Sequence, residues 1–281
     1  MSAVLPSYVP PRGVDCHAHV YDPLRHPYQA PPGYAPASGI AGTPEEFLAT
    51  LRANGLTHGL VVSPAPYGTD PACLLDAIER SGHRLKGIAV VAPEISEKEI
   101  YRLAAGGFVG MRINLVHDGL APLTAPGAAH LFARLKEANW VCQVQAHEDQ
   151  MVEALPILRD CGVPVVIDHC GRPDAARGIA QPGFQALLEL GRSGKAVVKL
   201  SGAFRISQAA APYADTDEYF RAAIDAFTLQ NCVWGSDWPF VRTTRPVEYA
   251  LALGGLARWL PNERDRHKVL WENPCRIFGF R

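Results

Sequence analysis

Eight times along this chain a short run rich in Val and Ile gives way to a segment whose apolar residues recur at helical spacing. The runs are "VDCHAHV" from Val14, "HGLVVSP" from His58, "LKGIAVVAP" from Leu85 and "FVGMRINLV" from Phe108. They continue with "WVCQVQAH" from Trp140, "PVVIDHCG" from Pro164, "AVVKLSGA" from Ala196 and "NCVWGSDWPF" from Asn231. Between them lie amphipathic segments such as "TPEEFLATLRANG", "DPACLLDAIERSG" and "SEKEIYRLAAGG", which open on a capping residue and close on Gly. Strands apolar on both faces suit a parallel sheet covered by helices. Eight strand-then-helix units in 281 residues predict a single-domain (β/α)8 TIM barrel over residues 1–281. The competing arrangement is an open doubly wound sheet, which carries a Gly-rich phosphate loop after its first strand. Here that position reads "HVYDPLRHPY".

Charge narrows the partners. With 27 basic and 28 acidic residues the chain has no electrostatic footprint for nucleic acid or an anionic membrane. No apolar run is long enough to span a bilayer, and "MSAVLPSYVPPRG" lacks the pattern of a signal peptide. Seven cysteines without a C-x-x-C spacing favour reduced thiols and a cytoplasmic setting. Nothing in the sequence sets an oligomeric state.

In a barrel the site gathers at the C-terminal ends of the strands. Within "VDCHAHV", His17 and His19 are two apart and so face one way. Later strand ends carry Ser63, Tyr67, Glu94, Arg112, Asn114, Gln145 and His147. The last three add Asp168, His169, Arg172, Lys199, Ser201, Arg205 and Asp237. Three imidazoles and one carboxylate, His17, His19, His169 and Asp237, are expected to converge. Each has a plainer reading. "GSDWP" is also good turn chemistry, and the arginines could form surface ion pairs. Arg112 is harder to dismiss, because an arginine inside an apolar run demands a partner or a ligand. His26, His58, His83, His117, His130 and His267 fall in loops or helices and read as structural or solvated.

Together "DCHAHVYD", "GMRINLV", "VVIDHCGRPD", "VKLSGAFRIS" and "VWGSDWPF" resemble the amidohydrolase-2 branch of the amidohydrolase superfamily. Within it the pattern is similar to the lactonase group that includes 2-pyrone-4,6-dicarboxylate hydrolase and sugar-acid lactonases. The resemblance implies a (β/α)8 fold and hydrolysis of a carboxylated lactone of pyrone, muconolactone or aldonolactone type. It implies Asp237 as general base, with His17, His19 and His169 polarising the carbonyl or holding a metal. Arg112, Arg172 and Arg205 would grip a substrate carboxylate, with Tyr34, Tyr67 and His147 as further substrate contacts. Strand four offers Arg112 where many superfamily members have a bridging lysine, which speaks against a binuclear centre. One divalent ion, Zn or Mn, on His17, His19, His169 and Asp237 stays open beside a metal-free mechanism. Two other functions also stay open: a metal-dependent decarboxylase of aromatic or muconate-type acids, and a non-catalytic sugar-acid binder.

Overall fold

The computed structural model describes residues 12–29, 35–36 and 42–281. Eight strands form one parallel sheet in sequence order. They are β1 (Val14–Ala18), β2 (His58–Val62), β3 (Leu85–Ala89) and β4 (Phe108–Asn114), then β5 (Val141–Gln145), β6 (Val165–Ile167), β7 (Ala196–Leu200) and β8 (Cys232–Trp234). The barrel closes where Ala18 bridges Trp238. Two backbone hydrogen bonds make that seam: His19 N donates to Trp238 O and Asp237 N to His17 O, each at 2.7 Å. The residues that close the barrel are thus the candidate chemical residues or their chain neighbours.

Val14, Cys16, Leu60, Ile88, Val166 and Val233 belong to a small inner cluster that Phe278 and Phe280 close at the opposite end. A larger cluster lies between the strands and the surrounding helices. Filling the interior with branched side chains makes it a packed core, so polar groups are left only at the rim. The eight amphipathic segments form helices with trimmed ends, for example Pro44–Ala53, Glu97–Ala105 and Asp217–Phe227. Thr43 and Glu46 make a reciprocal capping box, and Ser96 caps the backbone of Glu99.

The strands end before the ends of the runs quoted above, and three of these ends lie where the site gathers. β4 turns into a helical turn at Leu115, β6 ends before Asp168 and β8 ends before Gly235. In the last two the backbone swings into the left-handed region at His169 and Asp237, which re-aims both side chains. All seven cysteines are unpaired. Among the described residues no helix is long and apolar enough to cross a membrane.

Candidate active site

The site starts from β1. Its register shifts between Asp15 and Ala18, so Val14 and Cys16 fill the barrel below while His17 and His19 face its rim. The buried Asp15 carboxylate pins this shift, accepting from His17 N (3.0 Å), Ser236 N (2.9 Å) and Tyr249 Oη (2.8 Å). Burial raises its carboxyl to about 6 against the pull of those bonds. Room for the imidazoles comes from two glycines. A Cβ on Gly235 would lie 2.5 Å from His17 Cβ, and one on Gly202 would lie 3.0 Å from His169 Nδ1.

His169, Cys170, Arg172 and Asp237 all hold positive φ, between 47° and 66°. Non-glycine residues rarely adopt this region, and it collects where a side chain must be aimed. The result is a tight group. Asp237 Oδ1 is 3.6 Å from Nε2 of both His17 and His19, and Oδ2 is 3.8 Å from His169 Nε2. Arg205 Nε donates to the same Oδ2. The His17 and His169 rings lie 4.5 Å apart, and His169 Nδ1 is 2.9 Å from Ser201 Oγ. Burial holds His17 and His169 well below the usual imidazole range and takes His19 down to about 4. Burial pushes Asp237 up, but the Arg205 guanidinium, through its charge and its hydrogen bond, leads the interactions that outweigh it and leave the carboxyl below its usual value. The rim therefore presents neutral imidazoles around an ionised carboxylate.

Beneath His17 lies a second, wholly buried network. Lys199 Nζ donates to Gln143 Oε1 at 2.6 Å and sits 3.2 Å from Asp168 Oδ1 and 3.1 Å from His17 Nδ1. Asp168 Oδ2 accepts from Gln143 Nε2 at 3.0 Å and lies 3.3 Å from Arg112 Nε, off-line for a hydrogen bond. Asp168 and Lys199 were visible in the sequence as polar residues at strand ends, but without a role. Gln143 was not singled out at all. The available signal was Lys199 inside "AVVKLSG", a charge that an apolar strand tolerates only with a buried partner.

The three arginines sit on this rim. Arg112 Nη2 donates to Gln145 Oε1. Arg205 Nη2 donates to Val241 O at 3.2 Å. Among the described residues Arg172 Nε is buried with no hydrogen-bond partner, and the charges it feels most are those of Arg205, Asp237 and Arg112. Arg112, Arg172, Arg205 and Lys199 outnumber Asp168 and Asp237 in this wall.

Other expected contacts are not part of it. Tyr67 is buried in a 3-10 turn, its hydroxyl accepting from Asp22 N at 2.8 Å, so it supports the loop after β1 instead of facing a ligand. His147 is turned outward, 43% exposed and 3.3 Å from Glu148 Oε1. Glu94 is exposed. Tyr34 lies outside the described residues.

His17, His19 and Asp237 lie close enough together to be considered as metal ligands, as do His17, Asp168 and His169. Their surroundings do not fit a resident divalent ion. Asp237 already holds Arg205, Asp168 is shared between Lys199 and Arg112, and β5 adds no ligand because His147 turns away. A dication here would face fixed cations with one free carboxylate oxygen to offset it. Of the two alternatives the sequence left open, a single Zn or Mn ion on His17, His19, His169 and Asp237 or a metal-free mechanism, this charge balance favours the second.

A family model described as amidohydrolase matches residues 14–280. The 4-sulfomuconolactone hydrolase of Rhizobium radiobacter is 31% identical over 97% of this chain and 92% of its own. The D-galactarolactone isomerase of Agrobacterium fabrum is 29% identical over 99% of this chain and 95% of its own. Among solved structures, a probable 2-pyrone-4,6-dicarboxylic acid hydrolase from Acinetobacter baumannii, with citric acid bound, superposes with a TM-score of 0.86. It is 31% identical, and the match covers 95% of this chain and 99% of that one.

Proposed function

This chain belongs to the amidohydrolase family, and on that premise we propose that it is a hydrolase that opens a lactone bearing a carboxylate or similar anion. The observation that carries the reading is the single carboxylate of Asp237, set against three neutral imidazoles and walled by guanidiniums. Relatives named as lactone hydrolases, and a related structure holding citric acid, support it.

Arg172 has a buried donor left unsatisfied among the described residues, so the substrate anion docks there, with Arg112 and Arg205 beside it. Charge-assisted bonds of this kind hold a planar carboxylate in one orientation. The ring carbonyl then faces His17, His19 and His169. Asp237 takes a proton from water through Oδ1, the oxygen Arg205 leaves free, and the water oxygen bonds to the carbonyl carbon. Charge grows on the carbonyl oxygen where the His17 Nε2–H can receive it, commonly the largest catalytic term. Collapse breaks the ring ester bond, and Asp237 returns its proton to the leaving oxygen. The chemistry is complete with the chain's own residues.

A panel of carboxylated lactones with a pH indicator tests the reading, since ring opening near neutral pH releases one acid per turnover. The expected result is acid release by the wild type and release slower by about 10³-fold in Asp237→Asn. Rearrangement of a lactone without acid release would assign an isomerase, and release of carbon dioxide a decarboxylase.

A further inference from the structure

Lys199 is the one buried lysine of β7, and the chemistry above does not use it. Its ammonium has three hydrogens, and three acceptor atoms surround it: Gln143 Oε1, His17 Nδ1 and Asp168 Oδ1, at 2.6, 3.1 and 3.2 Å. A fully buried donor is expected to be fully satisfied, which requires His17 Nδ1 to accept. A second observation reaches the same proton from the other side. His19 Nδ1 lies 2.8 Å from the carbonyl oxygen of Val62, which can only accept, so Nδ1 carries the hydrogen. The neutral His19 ring therefore presents a lone pair on Nε2, and this atom is 3.3 Å from His17 Nε2. Two lone pairs would repel at that distance, so the hydrogen sits on His17 Nε2.

We propose that Lys199 is a positioning residue that fixes His17 as the Nε2–H tautomer, whose hydrogen turns from His19 Nε2 to the carbonyl oxygen of the bound lactone. The competing partner is already in place. Asp168 Oδ1 is 3.2 Å from His17 Nδ1 and would take a hydrogen from it if the ammonium were absent. The flipped ring would then aim a lone pair at a developing oxyanion. Gln143 bridges the device, accepting from Lys199 and donating to Asp168, which keeps the ammonium centred. The role at the carbonyl rests on the lactone-hydrolase reading; the tautomer does not.

Nitrogen NMR of the histidine-labelled full chain, with His17 assigned by its loss in His17→Gln, reads the tautomer directly. The wild type is expected to carry the His17 hydrogen on Nε2, and finding it on Nδ1 overturns the proposal. In Lys199→Met the hydrogen should move to Nδ1. There kcat should fall on the order of 10²-fold, as for loss of one oxyanion donor, with KM changed much less. The double variant Lys199→Met/Asp168→Asn replaces a buried charge pair with a neutral amide that can donate to Nδ1. It should regain the Nε2–H signature and part of kcat. A merely structural lysine predicts recovery of thermal stability in the double variant with no change of tautomer in either, which would sink the idea. If Lys199→Met does not fold, the wild-type and double-variant spectra decide. If the wild type opens no carboxylated lactone, the functional reading fails while the tautomer result stands.

Discussion

The Arg205 guanidinium holds one oxygen of Asp237 and leaves the other 3.6 Å from the Nε2 atoms of both His17 and His19. That division gives the carboxylate a fixed anchor and a free basic oxygen. Replacing Asp237 with Asn keeps the shape and removes the proposed base. Turnover should fall about 10³-fold, within the usual range for general-base catalysis. Affinity for a carboxylated inhibitor, measured by calorimetry, should change little. Near-normal kcat in Asp237→Asn would take the residue out of the role.

Arg172 offers the complementary test, because its Nε is buried without a hydrogen-bond partner among the described residues. If Arg172 docks the substrate anion as proposed, Arg172→Met removes a charge-assisted bond worth roughly 1.5–3 kcal/mol, or about 10–100-fold in KM. Loss of KM with kcat largely kept marks a docking group; steady-state kinetics on an active lactone separates the two. A lactone lacking the anion should be insensitive to the substitution.

Much of this was legible in the chain. The alternation of apolar runs and helical segments specified the barrel, and "HAH", "DHCG" and "GSDWP" named the imidazoles and the carboxylate that meet. What the sequence hid was local backbone geometry. His169 and Asp237 read as strand residues, yet both lie beyond their strands at φ 52° and 66°. A left-handed turn at a non-glycine residue has no pattern to betray it. Tyr67 and His147 failed for a related reason. Strand-end position does not say whether a side chain points to the axis or, as His147 does, toward a neighbour such as Glu148. Gln143 escaped because an amide in a strand carries no charge to flag its burial.

Charge makes a further prediction. With Arg205 on Asp237 and Lys199 on Asp168, a divalent ion meets more cations than free ligands. Prolonged treatment with a strong chelator should leave turnover unchanged, with metal content followed by elemental analysis. Parallel loss of metal and activity, both restored by added zinc, would contradict the charge argument.

The neutral imidazoles also set how stability responds to acid. In the unfolded chain histidines gain protons around pH 6.5, whereas folded His19 resists until about 4, and His17 and His169 lie well below their usual range. Their contribution is complete above about pH 6.5 and is lost as pH falls toward the folded values. For His19 alone the shift corresponds to roughly 3 kcal/mol. Asp15 works the other way, since burial raises its carboxyl to about 6 and the folded state binds that proton first. Three rings against one carboxyl leave acid destabilising. Thermal midpoints should drop between about pH 7 and 5, and a flat profile there would show that the rings titrate normally.

The seam between β1 and the segment after β8 sets the spacing of the whole site, and Gly235 is its tightest point. An added Cβ would lie 2.5 Å from His17 Cβ and 2.8 Å from His17 N. The backbone cannot retreat easily, because His17 O and His19 N are each bonded across the seam at 2.7 Å. Overpacking typically costs about 1–3 kcal/mol, and a clash with main chain belongs at the upper end. Gly235→Ala should therefore lower the urea midpoint and displace His17 from Asp237, so that stability and kcat fall together. Urea titration at unchanged m-value, alongside kinetics, checks both. An unaltered midpoint would mean that the seam has slack and that the contact of Asp237 with His17 is not enforced by the barrel's closure.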